Sequence, residues 1–122
     1  MRYSLVLNSR EPGEGEIDPD AISAMQEAFG AYGRALESAG VLVAAEVLQG
    51  RDMTTTVTVR DGAVQVQDGP FAETKEGLAG VVVIDVPDLD AALAWAEKCP
   101  GATYGAVEVR PAATSWVDGA WT

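Results

Sequence analysis

The order of strand-like and helix-like apolar patterns is the feature of this sequence that most constrains its fold. Alternating apolar and polar side chains over Tyr3–Asn8 predict a first strand. Asp18-Pro19 predicts a helix start, because the carboxylate can cap free amides and the proline ring suits the first helical position. A stripe of apolar residues at helical spacing then predicts a helix that ends near Gly40. The stripe consists of Ile22, Met25, Phe29, Tyr32 and Leu36.

Three further strands are predicted in the middle of the chain. Apolar runs over Val41–Leu48 and Ala79–Val86 have the length and composition of buried strands. Between them, Thr54–Val66 alternates small polar and β-branched residues on both sides of Asp61-Gly62. Because Asp-Gly favours a two-residue turn, this segment is predicted to be a β-hairpin.

The C-terminal part of the chain completes the order of elements. Asp88 predicts the start of a second helix, and Tyr104–Arg110 is predicted to be the last strand. Without the hairpin, the order is strand, helix, strand, strand, helix, strand. This order predicts an α+β domain of the ferredoxin-like type over residues 1–111, followed by a tail over residues 112–122. One side of the second helix is expected to carry Leu89, Leu93 and Ala96.

Two of the predicted strands lack the alternation expected of a sheet with one exposed face. Val41–Ala45 and Val81–Ile84 are apolar at every position. Two helices cover only one side of an antiparallel sheet, so the other side also needs an apolar cover. The simplest partner for this second face is the same face of another copy of the chain, so the sequence predicts a homodimer. Alternatively, these are central strands covered by the hairpin and the tail.

Composition excludes several classes of function. The net charge of −11, with scattered basic residues, disfavours binding to nucleic acids and to anionic membrane surfaces. The absence of histidine excludes Ser-His and Cys-His nucleophilic sites, and no spacing of carboxylates predicts a metal or cofactor site. Apolar runs are shorter than a membrane helix requires, and the single cysteine, Cys99, is predicted to be unreactive. A cytoplasmic location is therefore expected.

The segment Asp68–Glu76, which we call the motif loop, carries the densest group of functional side chains. Asp68-Gly69-Pro70 predicts a rigid turn, and the Asp68 carboxylate is expected to cap amides near Phe71 or Glu73. Phe71 can anchor the loop, whereas Glu73 and Lys75 are expected to meet a ligand or partner. The alternative is a turn followed by a solvated charged loop.

The string DGPFAETKE in this loop resembles the signature of the YCII-related family, in its DGPF-type branch. Segments such as Ala39-Gly40-Val41-Leu42 and Val107-Glu108-Val109-Arg110-Pro111 agree with it, whereas the tail is longer than the family pattern. The resemblance implies a ferredoxin-like dimeric α+β barrel without an established common reaction. Some relatives in the wider family carry a His–Asp pair, which this chain lacks. Proximity of DGPF-type genes to sigma-factor genes implies a regulatory or stress-linked setting.

Two functions are consistent with these residues. The first is a cofactor-independent enzyme with Asp68 or Glu46 as acid/base and Lys75 as electrostatic partner. Glu46 is a candidate because it is expected to share a strand face with Leu42, Ala44 and Leu48. Phe71, Glu73 and Lys75 would then contact the substrate. The second is a module that binds a small molecule or a protein without turnover. A carboxylate buried in a pocket would favour the enzyme, and exposed motif charges would favour the module.

Overall fold

A computed structural model describes residues 1–13 and 15–122 of the chain. The described residues form two α-helices and eight β-strands, and two short 3₁₀ turns lie at Arg51–Met53 and Pro100–Thr103. In chain order the helices and strands are β1 (Arg2–Ser9), α1 (Pro19–Ser38), β2 (Leu42–Val47), β3 (Thr55–Arg60), β4 (Ala63–Asp68), β5 (Gly77–Asp85), α2 (Leu89–Lys98), β6 (Ala106–Pro111), β7 (Trp116–Val117) and β8 (Ala120–Trp121).

The main sheet has four strands in the order β2-β5-β1-β6, and every neighbouring pair is antiparallel. The connections through α1 and α2 make this arrangement compatible with the predicted ferredoxin-like fold. β3 and β4 form the predicted hairpin as a separate two-stranded sheet. Its turn residues, Asp61 and Gly62, have φ values of 50° and 77°, as a type I′ turn requires.

The helix ends agree with the sequence signals. The Asp18 carboxylate accepts a hydrogen bond from the Asp20 amide at 3.0 Å, and the Asp88 carboxylate accepts one from the Ala91 amide at 2.9 Å. Gly40, with a φ of 71°, follows α1 in the left-handed conformation that glycine adopts at low cost. Neither helix of the described residues is long and apolar enough to cross a lipid bilayer.

The core lies between the helices and one face of the main sheet. Tyr32 on α1 donates a hydrogen bond from its hydroxyl to the Trp95 carbonyl at 2.8 Å, and their rings meet edge to face. This bond satisfies a carbonyl in the last turn of α2 and ties the two helices together. The buried hydrophobic residues are Tyr3, Leu5, Leu7, Tyr32, Leu36, Val82, Ile84, Val86, Ala92, Ala96 and Cys99.

Both helices depart from the predicted apolar faces. On α2, Leu89 and Leu93 are 48% and 47% exposed, whereas Ala92 and Ala96 are buried. Of the predicted side of α2, Ala96 is buried and the two leucines are not. On α1, the first part of the apolar stripe is not buried either, since Ile22 is 42% exposed.

The sheet face away from the helices, here called the far face, is apolar at its centre and charged at its rim. Val6, Val81 and Val83 are half-buried at the centre. β5 therefore carries apolar side chains on both faces, as the sequence predicted, but the rim makes the far face less apolar than the sequence suggested. Strand register places on its rim the charged residues Arg2, Glu46, Asp85, Glu108 and Arg110.

The tail forms a second small hairpin, β7–β8. Asp118 and Gly119 turn it with φ values of 51° and 83°, again as in a type I′ turn. The rings of Trp116 and Trp121 meet edge to face with centroids 5.5 Å apart, and both side chains remain more than half exposed. The tryptophan pair therefore packs on itself, not in the domain core.

Candidate functional site

A cavity of about 580 Å³, here called the motif cavity, lies where β2 ends, β5 begins and the motif loop folds back. Its volume is in the range of small-molecule sites in proteins. The segment after β2 and the motif loop supply most of its wall. Its apolar side chains are Leu48, Met53, Pro70, Phe71, Ala72 and Leu78.

Arg51 is the charged residue in the wall of this cavity. Its Nη1 donates to the Thr74 carbonyl, which joins the guanidinium to the motif loop. Glu11 lies on the other side, where its Oε1 accepts from the Arg51 amide at 2.6 Å and is 3.7 Å from Nε. At 3.7 Å the two side chains form an ion pair, in which Glu11 compensates part of the guanidinium charge. The Arg51 side chain is 30% exposed, so its charge is partly shielded from water.

The hairpin holds the start of the motif loop. The Gly69 amide donates to the Thr54 carbonyl at 2.8 Å, and the Thr56 hydroxyl donates to the Gly69 carbonyl at 2.7 Å. Gly69 has a φ of 93°, a conformation that side-chain-bearing residues rarely adopt, so glycine is required at this bend. Further along, the Gln67 side-chain amide donates to the Pro70 carbonyl at 3.4 Å. The rigid turn expected from the sequence is therefore built by neighbouring strand residues.

The capping role predicted for Asp68 is not what the structure shows. Within residues 1–13 and 15–122, no hydrogen bond to the Asp68 carboxylate is found. Asp68 is the last residue of β4, opposite Thr55, and its side chain is exposed to solvent. Water can therefore take the place of the predicted backbone amides as its hydrogen-bond partner.

Glu46 also lies elsewhere than expected. The register of β2 against β5 shifts between Leu42 and Ala44, so Leu42 faces the helices while Ala44 and Glu46 lie on the far face. The predicted shared face with Leu42 was therefore wrong. The Glu46 side chain is exposed and opposite Val81 on an edge strand.

The candidate residues are not brought together in one cavity. Phe71 lines the motif cavity, although its side chain is 74% exposed. Glu73 and Lys75 lie in the same loop and are exposed, and Asp68 and Glu46 do not line this cavity. In the described part of the chain, no three carboxylate or thiol side chains cluster as a metal ion requires.

Comparison with known proteins shows the family of the chain. The model of the YCII-related domain matches residues 1–114, which include every element of the main sheet and the motif loop. The chain belongs to the YCII-related family. It is also 47% identical, over 64 residues, to an uncharacterized protein of Rhizobium meliloti (strain 1021). That match covers 49% of this chain and 52% of the relative, so it spans about half of each protein.

Arg51 is the residue of this YCII-related site that the sequence analysis missed. It belongs to no recognisable motif and lies 23 positions before Thr74, the residue it contacts. The signal in the sequence is the small number of basic residues, since the chain has eight Lys and Arg residues against 19 Asp and Glu. A cation between two strands of so acidic a chain is a reasonable candidate for a structural or binding role.

Proposed function

We propose that this YCII-related protein is a non-catalytic binding module that takes a small amphipathic acid in the motif cavity. The observation that carries the proposal is a guanidinium in the wall of an otherwise largely apolar cavity. An aliphatic or aromatic body would pack on Phe71, Met53 and Leu78, while its carboxylate would meet Arg51. Arginine is suited to this role because its planar donors match a carboxylate in two places.

Exposed apolar side chains around the cavity support the proposal. Met53, Phe71 and Leu78 are each more than half exposed. Apolar side chains grouped around a concave site are characteristic of ligand-binding surfaces. In the same loop, Lys75 can add a second positive charge and Glu73 can accept a hydrogen bond from a ligand or partner protein. This binding role fits the regulatory setting implied by the DGPF-type branch, to which we assign the chain.

The site can be tested by comparing the affinity of an acid with that of a neutral amide of the same shape. We expect 4-phenylbutyrate to bind and 4-phenylbutyramide to bind more weakly, as measured by isothermal titration calorimetry. Replacing Arg51 by Gln should reduce affinity for the acid about 10- to 100-fold, because a hydrogen bond to a charged group contributes about 1.5–3 kcal/mol. Phe71→Ala should also weaken binding, yet leave stability nearly unchanged because the ring is exposed.

Arg34→Gln is the matched control, since Arg34 lies exposed on α1 and does not line the cavity. It removes the same charge and should leave binding unchanged. Thermal melts of all variants separate loss of binding from loss of folding. Equal affinity of the acid and the amide, or equal effects of Arg51→Gln and Arg34→Gln, would contradict the proposal.

The alternative enzyme would need a carboxylate shielded from water, with Asp68 or Glu46 as acid/base and Lys75 beside it. Both carboxylates are exposed, which favours the binding module. An enzyme acting on a ligand of the motif cavity would also need its acid/base to reach that ligand, and neither Asp68 nor Glu46 lines the cavity.

We further propose that the protein is a homodimer that pairs its far faces into an α+β barrel. Val6, Val81 and Val83 would form the centre of the interface. The rim carries both signs of charge, which allows a two-fold interface to pair opposite charges. Leu78 lies opposite Asn8 on this face and also lines the motif cavity, so a second copy would lie beside the ligand site.

Sedimentation equilibrium at micromolar concentration tests the dimer. Val83→Thr should weaken self-association while preserving the shape and strand preference of the side chain. Leu93→Thr is the control on the solvent side of α2 and should not change self-association. A wild-type monomer under these conditions would contradict the interface, because stable interfaces bury more than about 1,000 Å².

A further inference from the structure

A second cavity, here called the helix–sheet cavity, lies under the first half of α1, on the side of the main sheet that faces the helices. Its volume is about 410 Å³, enough for a small organic molecule. Ile22, Met25 and Phe29 line it from α1, and Leu7 and Val47 line it from the sheet. These α1 residues form the first part of the apolar stripe from which the sequence predicts the helix.

The sequence of β5 explains why this part of the core is open. Ala79 lines the cavity, and Gly80 follows it on β5. A residue with a side chain does not fit at position 80, because a Cβ on Gly80 would lie 2.7 Å from the Glu46 carbonyl oxygen of β2. Ile22, Met25 and Phe29 therefore face small residues at this point of β5, and the space between them is not filled by the chain. The cavity is open to solvent, since Val47 in its lining is 76% exposed. An exposed apolar groove of this kind offers a surface to an apolar guest.

Two polar side chains also line the cavity, Gln26 from α1 and Tyr104 from the segment before β6. Neither makes a side-chain hydrogen bond to another of the described residues, so both can bond to a guest. Tyr104 is 54% exposed, and its partial burial raises the pKa of the phenol, with a smaller contribution from Cys99, so the hydroxyl stays protonated as a donor. The lining carries no charged side chain, so the cavity does not suit an ion.

We propose that the helix–sheet cavity binds a small uncharged molecule with an apolar body and one hydroxyl group, of the alkylphenol or medium-chain alcohol class. The apolar body would replace the missing contacts between α1 and the sheet. The hydroxyl would pair with Tyr104 or Gln26. This inference does not depend on the proposed function, because it concerns a different cavity and a ligand of different charge.

The probes are 4-ethylphenol and ethylbenzene, which differ by one hydroxyl group. Binding would be followed by methyl NMR signals of Ile22, Met25 and Val47 during titration of each probe. Both probes should shift these signals, and 4-ethylphenol should bind more tightly. Tyr104→Phe should reduce the affinity for 4-ethylphenol about two- to tenfold and leave the affinity for ethylbenzene unchanged, as expected for the loss of one neutral hydrogen bond.

Two variants that fill the cavity test its location. Ala79→Leu should abolish binding of both probes, and Ile22→Trp provides the same test from the helix side if the first variant does not fold. Leu93→Trp is the control, since it adds the same ring at an exposed position of α2. The proposal is overturned if neither probe shifts the cavity methyl signals up to its solubility limit, or if filling the cavity leaves binding unchanged. It is equally overturned if the shifts are confined to Met53 and Leu78 of the motif cavity.

Discussion

The motif loop offers a direct test of which side chain stabilises it, Thr56 or Asp68. Thr56→Val keeps the shape and strand preference of the side chain but removes its 2.7 Å hydrogen bond to the Gly69 carbonyl. The net loss of such a bond costs about 0.5–1.5 kcal/mol, and a carbonyl left partly buried and unpaired adds to this cost. We therefore expect Thr56→Val to lower the free energy of unfolding by about 1–2 kcal/mol. Asp68→Ala should change it by less than about 0.5 kcal/mol, because the carboxylate is exposed.

Urea denaturation followed by circular dichroism measures both changes. All proteins must be compared at one concentration, since self-association would add a concentration-dependent contribution to stability. In thermal melts, Thr56→Val should lower Tm by about 3–10 °C and Asp68→Ala should lie near wild type. Thr56 does not hold the loop if Asp68→Ala lowers the free energy of unfolding by more than about 1 kcal/mol while Thr56→Val leaves it unchanged. That result would restore the capping role that the sequence suggested for Asp68.

Three further predictions concern the core and its close contacts. Tyr32→Phe should lower the free energy of unfolding by about 1 kcal/mol, because it removes the hydroxyl donor to the Trp95 carbonyl; unchanged urea denaturation would contradict this. Gly105→Ala should destabilise by about 1–3 kcal/mol or more, because its Cβ would lie 2.2 Å from the Asn8 carbonyl oxygen. A wild-type melting curve for this variant would contradict the close approach of Gly105 to the Asn8 carbonyl. Cys99 should react slowly with a disulfide reagent in the native protein and quickly in urea, because burial raises the pKa of its thiol. Rapid modification of the native protein would contradict this assignment.

The sequence predicted the order and ends of the main elements because those depend on local chemistry. Asp18 and Asp88 act as helix caps, and Asp61-Gly62 makes the hairpin turn, through bonds and φ values that involve only neighbouring residues. The alternation along β1 likewise identified Tyr3 and other buried side chains. Each of these signals lies within a few positions of the residue it describes.

Predictions that needed a strand's register or a helix's rotation were less accurate. The shift in β2 after Leu42 moves Glu46 to the far face, and no local residue pattern indicates this shift. Leu89 and Leu93 are more hydrophobic than Ala92 and Ala96, yet the alanines are buried and the leucines are about half exposed. Hydrophobicity alone therefore identified an apolar helix but not the side that meets the sheet.

The placement of Arg51 shows why the candidate site was harder to predict than the fold. Its contacts join three segments that are far apart in the sequence, through Glu11 on one side and Thr74 on the other. The charged residues of the motif loop form a recognisable pattern because they are close together in the chain, yet Glu73 and Lys75 are exposed in the structure. Arg51 has the stronger case for ligand recognition, because partial burial among apolar side chains strengthens the interaction of its charge with a bound anion. If that reasoning is correct, charge removal at Arg51 must weaken binding of the acid more than charge removal at Lys75, although Lys75 lies within the recognisable motif.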